Sequence, residues 1–201
     1  MKSKNPYPPF NPTVEELEQE LKRVRTHRNV ARALRNTILS LAAIAAVAVA
    51  AALFLPVLRV QGESMEPTLN RGDFVIALHW ADCAPGDVAS FVCRDRIMIK
   101  RVIARGGDVV DILEDGTVEV NGAALKESYV TEAARGALDV ELPVVVPDGQ
   151  YFVMGDNRTD SVDSRNSEIG CVPESQMRGR VIMRIWPLNQ LRWFSSQGGE
   201  D

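Results

Sequence analysis

Twenty-three consecutive residues, Asn36 to Leu58, carry no charge, and the run TILSLAAIAAVAVAAALFLPVL within them is apolar almost throughout. A bilayer core of about 30 Å is crossed by about 20 such residues in a helix rising ~1.5 Å each. A helix buried inside a soluble domain normally keeps a polar face, and this run has none. A cleaved secretion signal has an apolar core of about 7–15 residues, shorter than this one, although small-residue triplets such as Ala48-Val49-Ala50 are present. The run reads as a retained transmembrane helix over residues 37–58, with Pro56 near its far end, where a helix can stop.

The anchor separates two segments of opposite charge. Met1 to Asn36 holds eight Lys/Arg and four Glu, whereas Arg59 to Asp201 holds fifteen Lys/Arg and twenty-three Asp/Glu. An acidic body and an overall charge of −4 argue against a nucleic-acid partner. Lys22, Arg23, Arg25, Arg28, Arg32 and Arg35 crowd the near side of the span, and only Arg59 follows it closely. The positive-inside rule then places the N-terminus in the cytoplasm and residues 59–201 outside, a single pass through the cell membrane. The tail, residues 1–36, opens with a Pro-rich loop, Asn5 to Pro12. Thr13 and Glu16 then form the pattern of a capping box, predicting a basic juxtamembrane helix attracted to anionic lipid.

The body reads as strands. GDFVIALHW, GDVASFVC, RIMIKRVIA, VVDIL, TVEVN, QYFVMG and GRVIMRIW are short, rich in Val, Ile and Phe, and bounded by Gly, Asp, Asn or Pro. Asp115-Gly116 is the strongest hairpin signal, a two-residue turn of the primed type. Glu127 to Ala137 is the one stretch with any helical pattern. The expected fold is mainly β: an extracytoplasmic all-β barrel or sandwich behind a single anchor.

Three cysteines, Cys83, Cys93 and Cys171, allow at most one internal pair, with Cys83 and Cys93 nearest in sequence. No CxxC spacing occurs and the body has one histidine, His79, so neither a zinc site nor a cofactor is expected. His79 lies in a strand pattern and reads as a structural residue rather than the base of a triad. The body has thirteen arginines and two lysines, Lys100 and Lys126. Arginine keeps its proton at any working pH, whereas a desolvated lysine can lose it. Lys126 sits in the polar stretch ALKESY and reads as a solvated charge. Lys100, inside IMIKRVI, shares its strand face with Met98 and Val102. It is either a lysine stripped of water and fit to act as a base, or an edge-strand ammonium in solvent.

Gln61-Gly62-Glu63-Ser64-Met65-Glu66-Pro67-Thr68-Leu69 follows the span directly. Its SMEPTL resembles the nucleophile box of type I signal peptidases, membrane-bound serine proteases with a Ser–Lys dyad. IKRVIARGGD resembles their lysine box, and Gly155 to Arg165 resembles their GDNR-x-x-S-x-DSR box. The three occur in family order between Ser64 and Arg165, and the tail before Arg35 has no counterpart. The resemblance implies that Ser64, beside Met65, is the nucleophile and Lys100 its general base. It implies that Ser161 orients the lysine, that Asp163 and Arg165 form a supporting ion pair, and that Asp156, Asn157 and Arg158 build the turn behind them. An activated serine needs only a neighbouring base, and a neutral lysine can serve without histidine. The Ser64 N–H is the natural oxyanion donor. Some members place a second donor, a serine, where this chain has Gly62.

The same resemblance implies the substrate, a secretory preprotein with small residues one and three positions before the cut, read by shallow apolar pockets. It also implies that residues 106–150 form a reduced β-ribbon subdomain. Five residues separate Leu58 from Ser64, which keeps the serine within about 20 Å of the bilayer edge. Trp186, Trp193 and Phe194 in IWPLNQLRWF are candidate interfacial anchors, with strand core as the alternative for Trp186. Two other classes compete. An autoproteolytic repressor of the Ser–Lys type would lack the anchor and the GDNR-to-DSR block. A non-enzymatic, membrane-tethered peptide-binding β-domain would lack one of the dyad residues.

Overall fold

The computed structural model describes residues 13–79 and 82–194. The Pro-rich loop predicted over residues 5–12 lies outside them. The chain divides into two compact units, Met1–Ala50 and Ala51–Asp201.

One uninterrupted helix, α1 (Val14–Phe54), takes in both the basic segment and the uncharged run. Its start is the expected capping box: the Glu16 carboxylate accepts the Thr13 N–H at 3.0 Å, and the Thr13 hydroxyl accepts the Glu16 N–H at 3.4 Å. An 18-residue window of α1 reaches a mean hydropathy of 2.5 with none of it buried, so the helix is long and apolar enough to cross a membrane. It ends two residues before Pro56, as the steric demand of proline on its predecessor requires. Val57 and Leu58, read from sequence as the end of the span, instead open a strand.

The second unit is built of β1 (Val57–Arg59), β2 (Phe74–His79), β3 (Val88–Cys93), β4 (Arg96–Arg105), β5 (Val109–Ile112), β6 (Val118–Val120), β7 (Ala123–Ala124), β8 (Val144–Val145), β9 (Gln150–Met154), β10 (Val172–Pro173), β11 (Met177–Trp186) and β12 (Arg192–Trp193). Every strand predicted from the Val/Ile/Phe runs is present. Eight of them form one sheet in the order β1-β2-β11-β3-β4-β9-β10, with β12 paired to β11. β5 to β8 form a second, four-stranded sheet in the order β7-β6-β5-β8. The pairings are antiparallel. This smaller sheet falls within residues 106–150.

The alternation of the long strands fills three apolar clusters. One gathers Ile103, Val110, Ile112, Val118 and Phe152, joining the two sheets; a second centres on Phe91, Val102 and Val153; a third on Met65, Leu69, Val75, Val88 and Val181. The last cluster holds down the turn that carries Ser64. Phe194 packs, partly buried, against it and donates its N–H to Ile182 O at 2.9 Å. Trp186 and Trp193 are 51% and 71% exposed.

Two local expectations are corrected. The Asp115-Gly116 hairpin is wider than two residues: Leu113 N–H bonds Thr117 O, and Gly116 N–H bonds Leu113 O, a turn with three residues between the flanking pair. The two-residue primed turn lies at Asn121-Gly122, where both residues have positive φ (53° and 77°) and Val120 pairs with Ala123. Residues 127–137 form turns and bends rather than a helix, because their polar side chains are drawn to the arginines behind the site. No disulfide joins the three cysteines, so Cys83 and Cys93 are not bridged. Burial pushes the Cys83 thiol up to about 12, with Asp87 and Asp82 adding to the effect.

Candidate active site

The segment after β1 turns sharply twice. Glu66 N–H bonds Glu63 O and Leu69 N–H bonds Met65 O, while Met65 and Leu69 anchor the turn in the core. Ser64 thereby stands half-buried at the head of the turn. The far end is tied by Arg184, whose guanidinium reaches Thr68 O at 3.2 Å and Asp73 Oδ2 at 3.0 Å.

β4 supplies the lysine. Its cross-strand partner on β3 is Ala89, and only 3% of Lys100 is exposed. Ser64 and Lys100 line the same cleft of about 850 Å³, together with Val60, Gly62, Met65 and residues 96–99. Of the two sequence readings of Lys100, the desolvated one holds. Burial pulls its ammonium down from 10.5 to about 8, Asp163 works in the opposite direction, and Arg165 adds to the depression.

The loop after β9 completes the arrangement. Lys100 Nζ donates to Ser161 Oγ at 3.0 Å, and Ser161 Oγ–H donates to Asp163 Oδ2 at 2.7 Å. Asp163 also accepts the Gly155 N–H at 2.9 Å and two bonds from Arg165 at 2.8 Å, with both ion-pair side chains fully buried. Burial opposes the charge on Asp163, but Arg165 and these donors outweigh it and hold the carboxyl below the ordinary range. Such a fully satisfied carboxylate gives Ser161 a single orientation.

The GDNR turn meets Ser64 through the main chain. Asn157 N–H donates to Ser64 O at 3.1 Å. A Cβ on Gly155 would stand 2.4 Å from Ser64 O and 2.2 Å from Ser161 Oγ, so only glycine permits this approach. Asp156 does not touch the lysine; it accepts Arg101 Nε at 2.8 Å and Nη2 at 2.6 Å. Arg158 donates to Gly155 O at 3.1 Å and pairs with Glu127. Gly62 has nothing within 4 Å of where a Cβ would be, so the site has room for a side chain there. Gly62, Ser64, Met65 and Lys100 thus line one cleft, while Ser161 bonds Lys100, Asp163 and Arg165 stand behind Ser161, and the turn at residues 155–158 abuts Ser64. Lys126 is exposed, and His79 lies at the end of β2 outside the cleft.

Three participants escaped the sequence reading: Arg101, Glu127 and Tyr129. The Arg101 guanidinium stacks on the Tyr129 ring at 3.8 Å, and Tyr129 Oη–H donates to Glu127 at 2.7 Å. Arg101 directly follows Lys100, and strand alternation alone turns it to the opposite face. Nothing local marks Glu127 or Tyr129, whose partners lie about 30 residues away in sequence.

Among the described residues, no group of three or more His, Cys, Asp or Glu side chains could hold a metal ion. What the cleft offers is a half-buried hydroxyl and a buried amine that gives up its proton more readily than a solvated lysine. That set can move a proton from serine and form an ester with a bound carbonyl.

The profile described as "Signal peptidase, peptidase S26" matches residues 32–186 of this chain. A signal peptidase I of Bacillus licheniformis is 34% identical over 165 residues, covering 76% of this chain and 87% of that protein. Signal peptidase I T of Bacillus subtilis is 35% identical over 153 residues, covering 70% and 78%. A solved signal peptidase I structure from Enterococcus faecalis aligns with 50% of this chain and 97% of that one, at 30% identity and a TM-score of 0.43.

Proposed function

This chain belongs to the signal peptidase family, peptidase S26, whose serine endopeptidases remove signal peptides, and on that premise we propose that Ser64 and Lys100 are its catalytic dyad. The observation that carries the proposal is a buried lysine, pulled to about 8, sharing one cleft with a half-buried serine. Neutral Lys100 Nζ takes the Ser64 hydroxyl proton as Oγ attacks the scissile carbonyl carbon. The C–N bond then breaks, the proton passes from Lys100 to the leaving amine, and an acyl-Ser64 ester remains. Water, giving a proton to neutral Lys100, attacks that ester; the bond to Ser64 Oγ breaks, the proton passes from Lys100 to Oγ, and both side chains are restored. Ser161 holds Nζ in place through both steps, and the Ser64 N–H faces the developing oxyanion.

The cleft suits an extended peptide. β1 pairs only with β2, and β4 pairs with β9 only from Arg101 onward, so residues 96–100 keep one strand edge without a ladder partner among the described residues. A substrate strand laid between these edges gains main-chain hydrogen bonds on both sides. Val60, Met65 and Ile97 to Ile99 line shallow apolar walls. Small side chains one and three positions before the cut fit such walls, which gives the substrate as a secretory preprotein.

Helix α1 spans the lipid bilayer from a cytoplasmic basic end, and the β unit works outside, at the surface from which secreted chains emerge. Trp186 and Trp193, both exposed, rest at the lipid interface. Protease added to spheroplasts digests the 59–201 body on this orientation; complete protection would reverse it. The direct test of the dyad is a preprotein incubated with the detergent-solubilised enzyme. Wild type releases the mature chain and Ser64→Ala does not; equal cleavage by the two would assign the nucleophile elsewhere.

A further inference from the structure

The subdomain inserted between β4 and β9 reaches back to the site. Tyr129 lays its ring on the Arg101 guanidinium at 3.8 Å and donates its hydroxyl to Glu127 at 2.7 Å. Glu127 in turn receives both terminal nitrogens of Arg158, one of them at 2.9 Å, and the two side chains of this pair are 11% and 1% exposed. Arg101 and Arg158 are the residues that grip the GDNR turn, one through the Asp156 carboxylate and the other through Gly155 O. Between those two grips the turn offers Asn157 N–H to Ser64 O, and it approaches Ser64 so closely that Gly155 has no room for a side chain.

From this chain of contacts we infer that Glu127 and Tyr129 are positioning residues of the Ser64 site, acting through Arg101 and Arg158 on the turn that holds the nucleophile's backbone. The inference rests on the Ser–Lys reading and adds a role for the inserted subdomain. Without Tyr129 one face of Arg101 is open to water, and the aromatic contact, strongest where water is excluded, is lost. Without Glu127 the buried Arg158 loses the carboxylate that its terminal nitrogens bond, and its hold on Gly155 O loosens. Either change loosens Asn157 and displaces the Ser64 carbonyl. Small displacements of a nucleophile reduce turnover far more than they reduce peptide binding, which depends on the cleft walls across the turn. Burial, reinforced by Glu127, pushes the Tyr129 phenol far above its ordinary value, so its hydroxyl remains a donor throughout the working pH range.

The test measures kcat and KM separately for preprotein cleavage by full-length Tyr129→Ala, Tyr129→Phe, Tyr129→Leu and Glu127→Gln, with thermal melting of each. Tyr129→Ala is expected to lower kcat at least tenfold with KM within twofold of wild type. Tyr129→Phe, which keeps the ring on Arg101, is expected to recover most of that loss, and Glu127→Gln falls between. Should Tyr129→Ala fail to fold, Tyr129→Leu is read in its place, because it fills the space without an aromatic face. Wild-type kcat in the folded Ala or Leu variant, or a loss confined to KM, overturns the inference. Glu132→Ala, on an exposed residue of the same loop, controls for general disturbance. Lys100→Arg, run alongside, separates the two readings: if it cuts normally the dyad is wrong, whereas an inactive Lys100→Arg with a fully active Tyr129→Ala removes only the positioning role.

Discussion

Lys100 and Arg101 are neighbours in β4, both cationic and both nearly removed from water, at 3% and 7% exposure. Their surroundings differ completely. On the arginine's side, Asp156 offers both carboxylate oxygens, Gly86 O accepts at 2.7 Å and the Tyr129 ring covers the remaining face. On the lysine's side the contact is one neutral hydroxyl, Ser161, and the carboxylate beyond it is already paired with Arg165. Burial of equal depth therefore fixes the charge at one residue and frees the proton at the next. What decides the outcome is whether a counter-charge touches the group, since desolvation alone disfavours any ion.

The largest effect expected from breaking this contrast is at Lys100→Arg. It places a permanently charged guanidinium where a neutral amine is needed, and cleavage should fall by about a thousandfold or more, within the range general-base catalysis supplies. Lys126→Arg should cleave as wild type does. With Lys100 as the proposed base, the active form is the neutral lysine, and the rate is expected to rise with pH through about 8 and level above it. A flat profile from pH 6 to 10, or an active Lys100→Arg, would contradict the mechanism.

Next in size is Asp156→Asn, which makes the arginine face resemble the lysine face by removing its counter-charge. A buried guanidinium left unpaired costs about 3–5 kcal/mol, seen as a lower urea midpoint. An unchanged midpoint would mean that Arg101 finds another anion. The smallest effect is at Ser161→Ala. The amine remains but its orientation is lost, and turnover should drop about tenfold while KM and melting temperature scarcely move. Turnover equal to wild type would take Ser161 out of the site.

Sequence patterns revealed the residues whose partners are local or whose boxes are compact. The capping box at Thr13, the Val/Ile strands and the block from Gly155 to Arg165 all fall in this class. The apolar strand neighbours of Lys100 leave two readings open, and its place in the lysine box singles it out. Glu127 and Tyr129 were hidden in a stretch that reads as solvated, since their burial comes from arginines that only the tertiary fold brings near. The hairpin was misplaced for a related reason. Asp115-Gly116 and Asn121-Gly122 carry similar turn chemistry, and the strand register, set by Ile112 opposite Val118, assigned the two-residue turn to the second. Phe194, read as an anchor from its apolar neighbours, is claimed by the cluster around Val75 and Val181.

If a client pairs, as proposed, with the edges of β1 and the first half of β4, which have no ladder partner among the described residues, a consequence follows for how clients are chosen. Recognition through main-chain amides is indifferent to most side chains, so one cleft can process precursors that share almost no letters. It is demanding in another respect, because a helix has no free amides to offer. A precursor whose residues before the cut stay coiled is passed over, however well its small side chains match the walls. On the proposed binding mode, helix-breaking residues just upstream of a cleavage site would act as permission to be cut, and the speed of maturation would become a property of the client's backbone.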